Sequence, residues 1–123
     1  MNAFKNDVPI YLQLRQQIEE QILARALKEE DQVKSLRVLA AEYRINPITA
    51  GNALNTLVNE GVLYQKRGIG IFVSQGAREK IINSRKSSFI VETLEPSIRL
   101  AKSYDIPKEE IIAKTNSIYG EEQ

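Results

Sequence analysis

The chain has 123 residues, of which 42% are hydrophobic and 27% are charged, and its formal net charge is +1. This balance is typical of a folded globular chain and excludes a disordered one. The absence of histidine and cysteine excludes disulfides and thiolate zinc sites, and it removes the commonest catalytic base and the thiol nucleophile. We therefore expect a protein that is not an enzyme and that needs no cofactor or metal.

The bulk properties also limit the partners. No apolar run approaches the ~18 residues that a membrane span needs, and the first residues lack the apolar segment of a signal peptide. We therefore expect a cytoplasmic protein without a membrane partner. Residues 1–75 carry nine Lys/Arg and eight Asp/Glu, and residues 76–123 carry eight of each. Because neither part is strongly charged, the positions of the charges must indicate the partner.

Apolar residues at helical spacing predict a first helix from Pro9 to about Ala26. Proline suits the first turn of a helix, and Asp7 is a candidate cap. The apolar side of this helix carries Tyr11, Leu14, Ile18 and Ile22. The spacing of three and four residues predicts that this side packs into a domain core.

A short second helix is expected after Ser35, because serine caps helix N-termini well. Its predicted buried side contains Leu36, Leu39, Ala40 and Tyr43. A tight turn at 44–46 leads into a third helix at 47–59, since Asn46 followed by proline is a strong start signal. Gly61 is expected to end the third helix.

The third helix divides into two predicted faces. Its buried side contains Ala50, Ala53, Leu54, Leu57 and Val58. Its outer side contains Ile48, Thr49, Gly51, Asn52, Asn55, Thr56 and Asn59. The outer side is either a binding surface or a solvated polar face.

Two short strands follow at 62–66 and 69–74, and an Arg-Gly pair at 67–68 is expected to form the hairpin turn between them. Phe72 in the second strand is interpreted as a core residue. The order of helix, helix, turn, helix and hairpin predicts a winged helix-turn-helix domain in residues 1–75.

Residues 76–123 predict a helical tail. A long helix is expected to bend at the Glu-Pro pair 95–96, because proline removes an intrahelical hydrogen bond, and a second helix runs from Lys108 to about Tyr119. Two helices cannot bury their apolar residues alone, so the tail must pack against the first domain or against a second protomer, and of these we expect a homodimer. The expected dimerisation residues are Ile82, Phe89, Ile90, Leu94 and Ile98. The predicted fold class is therefore mainly α with a small β-hairpin: a winged helix-turn-helix followed by a two-helix dimerisation tail.

Four runs in order resemble the GntR family of bacterial transcription regulators: Pro9–Leu14, Ser35–Ala40, Ile45–Thr49 and Lys66–Val73. The Asn-Pro pair at the third helix and the short tail are most similar to its YtrA subfamily. The resemblance implies a homodimer that binds a palindromic operator in double-stranded DNA as a repressor. It also implies that the third helix enters the major groove, while the hairpin wing touches the adjacent groove or backbone.

Candidate base-reading residues lie at the start of the third helix, because the N-terminal end of a recognition helix contacts base edges. They are Asn46, Ile48, Thr49 and Asn52, and Pro47 beside them is a further DNA-binding candidate. Asparagine can read adenine, and the methyl groups of threonine and isoleucine can meet a thymine methyl.

The other candidate DNA-binding residues surround that helix. Arg37 matches the family's arginine that contacts the DNA backbone or a base, and Ser35 with the helix N-terminus can bind a phosphate. The remaining candidates form a basic rim and the wing turn: Lys34, Arg44, Lys66, Arg67, Gly68 and Gly70. Taken singly, each of these cations is equally well explained as a solvated surface charge.

The sequence departs from the family at several points. Lys34 and Pro47 replace a usual proline and a frequent arginine, Gly51 replaces an arginine or polar residue, and Ile71 replaces a frequent threonine. The third helix therefore carries no positive charge. This leaves open an alternative function, a winged-helix module that binds protein and has little DNA affinity.

A small-molecule effector is a further open alternative, in a dimer groove around Phe89 and Tyr104. Packing is the competing explanation for these two aromatic residues.

Overall fold

The computed structural model describes residues 8–121. Its elements, in chain order, are α1 (Ile10–Leu23), α2 (Leu36–Tyr43), α3 (Pro47–Asn59), β1 (Leu63–Lys66), β2 (Gly70–Val73), α4 (Ala77–Phe89), a π-helical segment (Ile90–Leu94), α5 (Glu95–Ser103) and α6 (Lys108–Tyr119). The predicted fold class is confirmed. Asp7, the candidate cap of the first helix, lies outside the described residues.

The helices begin where the sequence predicts. The Ser35 hydroxyl accepts a hydrogen bond from the Val38 amide at 3.2 Å, which caps α2. The Asn46 Oδ1 accepts one from the Ile48 amide at 2.7 Å, which caps α3. Between these two helices Arg44 adopts the left-handed conformation, with φ of 55°. This sharp reversal turns α3 away from the direction of α2.

The core of the first compact unit, which extends to Asn83, is assembled from every element up to the start of α4. Its largest fully buried side chains are Leu14, Leu54, Leu57, Leu63, Val73 and Ile81. Ala77 and Ile81 belong to α4, so the first turns of that helix complete the core of the winged domain.

The wing is a hairpin with a third, short partner strand. β1 and β2 pair antiparallel, with Lys66 opposite Gly70, so the turn contains three residues (67–69) rather than the two that the sequence predicts. On the other edge of β2, Gln32 pairs with Phe72 in an isolated bridge. This added pairing fixes the wing to the segment that precedes α2.

The interpretation of Phe72 as a core residue is wrong, because Phe72 lies on the outer face of the wing. Side chains alternate between the faces of a strand, and its neighbour Val73 is the one that is fully buried. The Phe72 ring instead stacks on Tyr64, with the ring centroids 5.9 Å apart. The sequence does carry a signal for this: Phe72 and Val73 are neighbours on a strand, so only one of them can face the core.

Gly51 is a second correction, because it does not lie on the open side of α3. A Cβ on Gly51 would lie 3.1 Å from Cδ1 of Leu36. Leu36, which the sequence predicts to be buried, is 36% exposed. Its side chain lies over Gly51 at the edge of the α2–α3 contact. The glycine therefore permits the close approach of the two helices.

The second compact unit begins at Ser84. A π-helical turn, Ile90–Leu94, lies immediately before the Glu-Pro pair at which the sequence predicts a bend. Pro96 has no N–H to donate to the carbonyl four residues earlier. At the next residue, the Ser97 hydroxyl donates a hydrogen bond to the Thr93 carbonyl at 2.6 Å. Across residues 8–121, no helix is both long and apolar enough to cross a membrane.

Candidate nucleic-acid interface

The first turn of α3 presents the candidate base-reading residues at the surface. Asn46, Pro47, Ile48 and Asn52 are exposed, and Thr49 is half-buried. The Ile48 side chain is 74% exposed, although isoleucine is ordinarily a core residue. Because the Asn46 oxygen caps the helix, its amide nitrogen is the group that remains to donate outward.

The cations near this turn differ in their pairing. Arg37 and Arg44 are exposed, and neither has an ion-pair partner within residues 8–121. Lys34 donates a hydrogen bond to the Glu42 carboxylate at 2.6 Å, and this bond raises the pKa of Lys34 above its ordinary value. The charge of Lys34 is therefore partly compensated, whereas those of Arg37 and Arg44 are available to an anionic partner.

The wing presents a second basic region. Arg67 and Gly68 are exposed at the turn. The Nζ of Lys66 lies 4.5 Å from the Phe72 ring centroid, within the range of a cation–π contact. The Lys66 ammonium group therefore lies over the outer face of the wing, and Arg67 lies at the tip of the wing.

Glycine is present at positions 68 and 70 for different structural reasons. Gly68 has φ of +78° and open space around a Cβ position, so it serves the turn alone. Gly70 has φ of +152°, and a Cβ there would lie 2.4 Å from Nε2 of Gln32. Gln32 is not predictable from the sequence, because a glutamine in a polar loop carries no signal before the strand pairing is known.

The tip of the wing lies close to the start of α2. A groove of about 220 Å³ separates them, with Lys34, Ser35 and Leu36 on one side and Ile69, Gly70 and Ile71 on the other. The structure therefore brings candidate residues of the second helix and the wing onto one surface of the first unit.

The expected dimerisation residues fall in both units. Ile82 is half-buried in the first unit. In the second unit Phe89, Ile90, Leu94 and Ile98 are all exposed, Phe89 to 52%. Further exposed apolar side chains that the prediction did not name there are Val91, Leu100, Ile112, Ile118 and Tyr119. Among residues 84–121, no side chain is buried.

Comparison with known proteins adds independent findings. Residues 10–73 match the family of bacterial regulatory proteins called gntR. The repressor YtrA of Bacillus subtilis is 33% identical over 76% of this chain and 72% of its own. The uncharacterised helix-turn-helix regulator YhcF of B. subtilis is 29% identical over 90% of both chains. A transcriptional regulator from Oenococcus oeni has a similar structure, with a TM-score of 0.80, 29% identity, and coverage of 96% of this chain and 97% of that one. The chain therefore belongs to the GntR family of bacterial transcription regulators, and within it to the YtrA-like proteins.

Proposed function

We propose that this regulator is a repressor that binds a palindromic operator in double-stranded DNA as a homodimer. The observation that carries the proposal is the first turn of α3, where Asn46, Ile48 and Asn52 are exposed at the start of a helix. That is the part of a recognition helix that meets base edges in the major groove.

The side chains available at this turn favour a particular kind of recognition. α3 carries no charged side chain, so its contacts are restricted to amide and hydroxyl hydrogen bonds and to methyl packing. Asparagine bonds well to adenine, and an exposed isoleucine packs well on a thymine methyl. We expect the bases under α3 to be predominantly A·T pairs.

The electrostatic part of binding is assigned to the cations around α3. Arg37 and Arg44 lie on either end of α2, and Arg67 lies at the wing tip. Phosphate contacts position a protein on DNA and carry little sequence information. These arginines, with the N-terminus of α2 capped by Ser35, are therefore the proposed backbone contacts.

The homodimer is supported by the composition of the second unit's surface. Phe89, Leu94 and Ile98 lie on successive helical segments and are exposed in the single chain. Contiguous exposed apolar area is uncommon on a monomer and marks an association surface. A second copy of the same tail would cover it, and the two winged domains could then occupy half-sites about one helical turn apart, or a multiple of it.

Fluorescence anisotropy tests the proposal directly. The protein is titrated against a duplex from its own promoter and against a scrambled duplex, at several salt concentrations. We expect tighter binding to the promoter and a log K that falls steeply with log salt, because phosphate contacts release counterions. Equal, weak binding to both duplexes would overturn the proposal.

The uncharged α3 favours a second candidate function, a module that binds protein. Arg37→Ala and Arg67→Ala separate the two functions. In a DNA-binding protein each substitution weakens binding to all duplexes and lowers the salt slope by about one per contact. If the protein is instead a protein-binding module, the unsubstituted protein already binds duplexes weakly, and these substitutions do not weaken the binding further.

A further inference from the structure

Gln32 makes a side-chain contact that the proposed function leaves unassigned. Its Nε2 donates a hydrogen bond to the Ile69 carbonyl at 3.2 Å. The same nitrogen occupies the space that a Cβ on Gly70 would fill. One amide group of the segment before α2 therefore contacts two successive residues of the wing.

Backbone pairing joins the segment before α2 only to the base of the wing. The Glu30 amide donates to the Val73 carbonyl at 2.8 Å, and the Val33 amide donates to the Ile71 carbonyl at 2.8 Å. Within residues 8–121, no backbone hydrogen bond joins this segment to Gly70 or to residues 67–69. Beyond Ile71 the side chain of Gln32 is what continues the connection toward the tip.

The tip itself has little else to define its shape. The ladder pair Lys66–Gly70 closes the turn, and the Ile69 amide also donates a hydrogen bond to the Lys66 carbonyl at 2.9 Å. Beyond that pair, Gly68 has open space around it, and Arg67 and Ile69 are exposed. An exposed, glycine-containing turn samples several conformations unless another contact restrains it.

From these contacts we infer that Gln32 is a positioning residue, which holds the wing tip in the conformation that directs Arg67 to the DNA. The inference rests on the proposed DNA-binding function. Gln32 acts through the Ile69 carbonyl and the space left by Gly70, and it needs no DNA contact of its own. Preordering the tip before binding lowers the entropic cost of forming the Arg67 contact.

The first test needs no DNA. Gln32→Met keeps the length of the side chain but removes the donor, and Gln65→Ala is the control, since Gln65 is an exposed glutamine of the same hairpin. We expect backbone order parameters at residues 67–69 to fall from about 0.85 toward about 0.6 in Gln32→Met, and to stay unchanged in the control. Unchanged order in Gln32→Met would overturn the inference.

The second test is a double-mutant cycle with Arg67→Ala, read as duplex affinity at fixed salt. A lost hydrogen bond corresponds to about a three- to tenfold weakening. We expect that loss for Gln32→Met alone and less than a twofold change when Arg67→Ala is already present. The same loss in both backgrounds would overturn the inference, because Gln32 would then act independently of the arginine.

The outcomes separate this inference from the proposed function. If the unsubstituted protein shows no preference for its promoter, the proposed function fails, and the order parameters still decide whether Gln32 orders the tip. If the promoter is preferred but Gln32→Met binds normally, only the inference fails.

Thermal unfolding gives a third readout. Because Gln32 is exposed and loses one hydrogen bond, the melting temperature should fall by no more than about 5 °C. A larger drop would assign Gln32 to fold stability and overturn the inference.

Discussion

Arg15 of α1 and Glu60 at the end of α3 form a two-pronged ion pair, with Nη1 to Oε2 and Nη2 to Oε1 both at 2.5 Å. The hydrogen bonds that Arg15 donates to Glu60 raise the pKa of Arg15 above its ordinary value, so the guanidinium stays charged. The pair joins the two helices through residues that are 45 positions apart in the sequence.

The first prediction concerns the strength of this pair. Because Glu60 is about half exposed, we expect a coupling free energy of roughly 1 kcal/mol, at the upper end for surface pairs. Urea unfolding of Arg15→Gln, Glu60→Gln and the double variant measures it, and the cycle removes the separate contact of Arg15 with Glu19. A coupling that does not decrease in 1 M salt would contradict this account.

The second prediction separates capping from DNA contact at Asn46. Asn46→Asp keeps a capping oxygen at a helix N-terminus, so we expect unchanged or slightly higher stability. The added carboxylate would lie at the proposed base contact, close to the negatively charged DNA, so duplex affinity should fall at least about tenfold. Asn59→Asp adds the same charge at the other end of α3 and should cost much less affinity. Equal losses for the two variants would argue against base contact by the first turn.

The sequence predicted those features of the fold that depend on local chemistry. Ser35 and Asn46 start their helices as expected, because a capping side chain acts on backbone groups two or three residues away. The π-helical turn also lies just before Pro96, where a missing N–H requires an adjustment.

What the sequence could not show depends on pairing between distant segments. Gly51 reads as an outer residue until α2 is packed against it, because the Leu36 side chain is what covers it. The side chain that contacts Gly70 belongs to Gln32, which is 38 positions earlier in the chain. Gln32 pairs with β2 through a single bridge, and the sequence around it does not indicate a strand. Gly51, Gly70 and Gln32 thus acquire their roles only in the assembled domain.

The third prediction follows from the contact of Gly51 with Leu36. Gly51→Ala gains roughly 0.5–1 kcal/mol of helix propensity, while its Cβ would require the Leu36 side chain to shift by a few tenths of an ångström. We therefore expect nearly unchanged stability. Gly51→Leu should lose about 1–3 kcal/mol by overpacking. Urea unfolding compares the two, and a stable Gly51→Leu variant would mean that α2 and α3 separate easily.

The fourth prediction concerns the pH dependence of folding stability that Tyr64 in the wing produces. The Tyr64 hydroxyl donates to Glu30, and this hydrogen bond raises the pKa of Tyr64 above its ordinary value of about 10. A raised folded pKa means that the stabilisation is fully present below pH ~10 and is lost as the pH rises through the raised value.

Ultraviolet titration of the phenolate band checks this prediction, with Tyr64→Phe subtracted to isolate the residue. The pKa should return toward its ordinary value in Glu30→Gln, because the carboxylate is gone. The urea midpoint of the unsubstituted protein should fall above pH 10 more than that of Tyr64→Phe. Identical pH profiles for these two proteins would show that the hydrogen bond does not persist in solution.

The fifth prediction concerns the tail. In the proposed homodimer, Leu94 and Ile98 are covered by the second copy, so Leu94→Asp would bury an unpaired carboxylate. The dimer dissociation constant should rise at least about 100-fold. Sedimentation equilibrium should show a species of twice the 13.9 kDa chain mass for the unsubstituted protein and the chain mass for the variant. Ser88→Asp, which adds the same charge at an exposed polar position, should remain dimeric.

Loss of the dimer should also reach the DNA. Two linked winged domains bind a palindrome with the second contact made at high effective concentration, and separate domains lose that advantage. Leu94→Asp should therefore weaken palindrome binding by about 100-fold or more while leaving binding to a single half-site nearly unchanged. A monomeric unsubstituted protein at micromolar concentration, or equal losses on both duplexes, would refute the dimeric mode of operator binding.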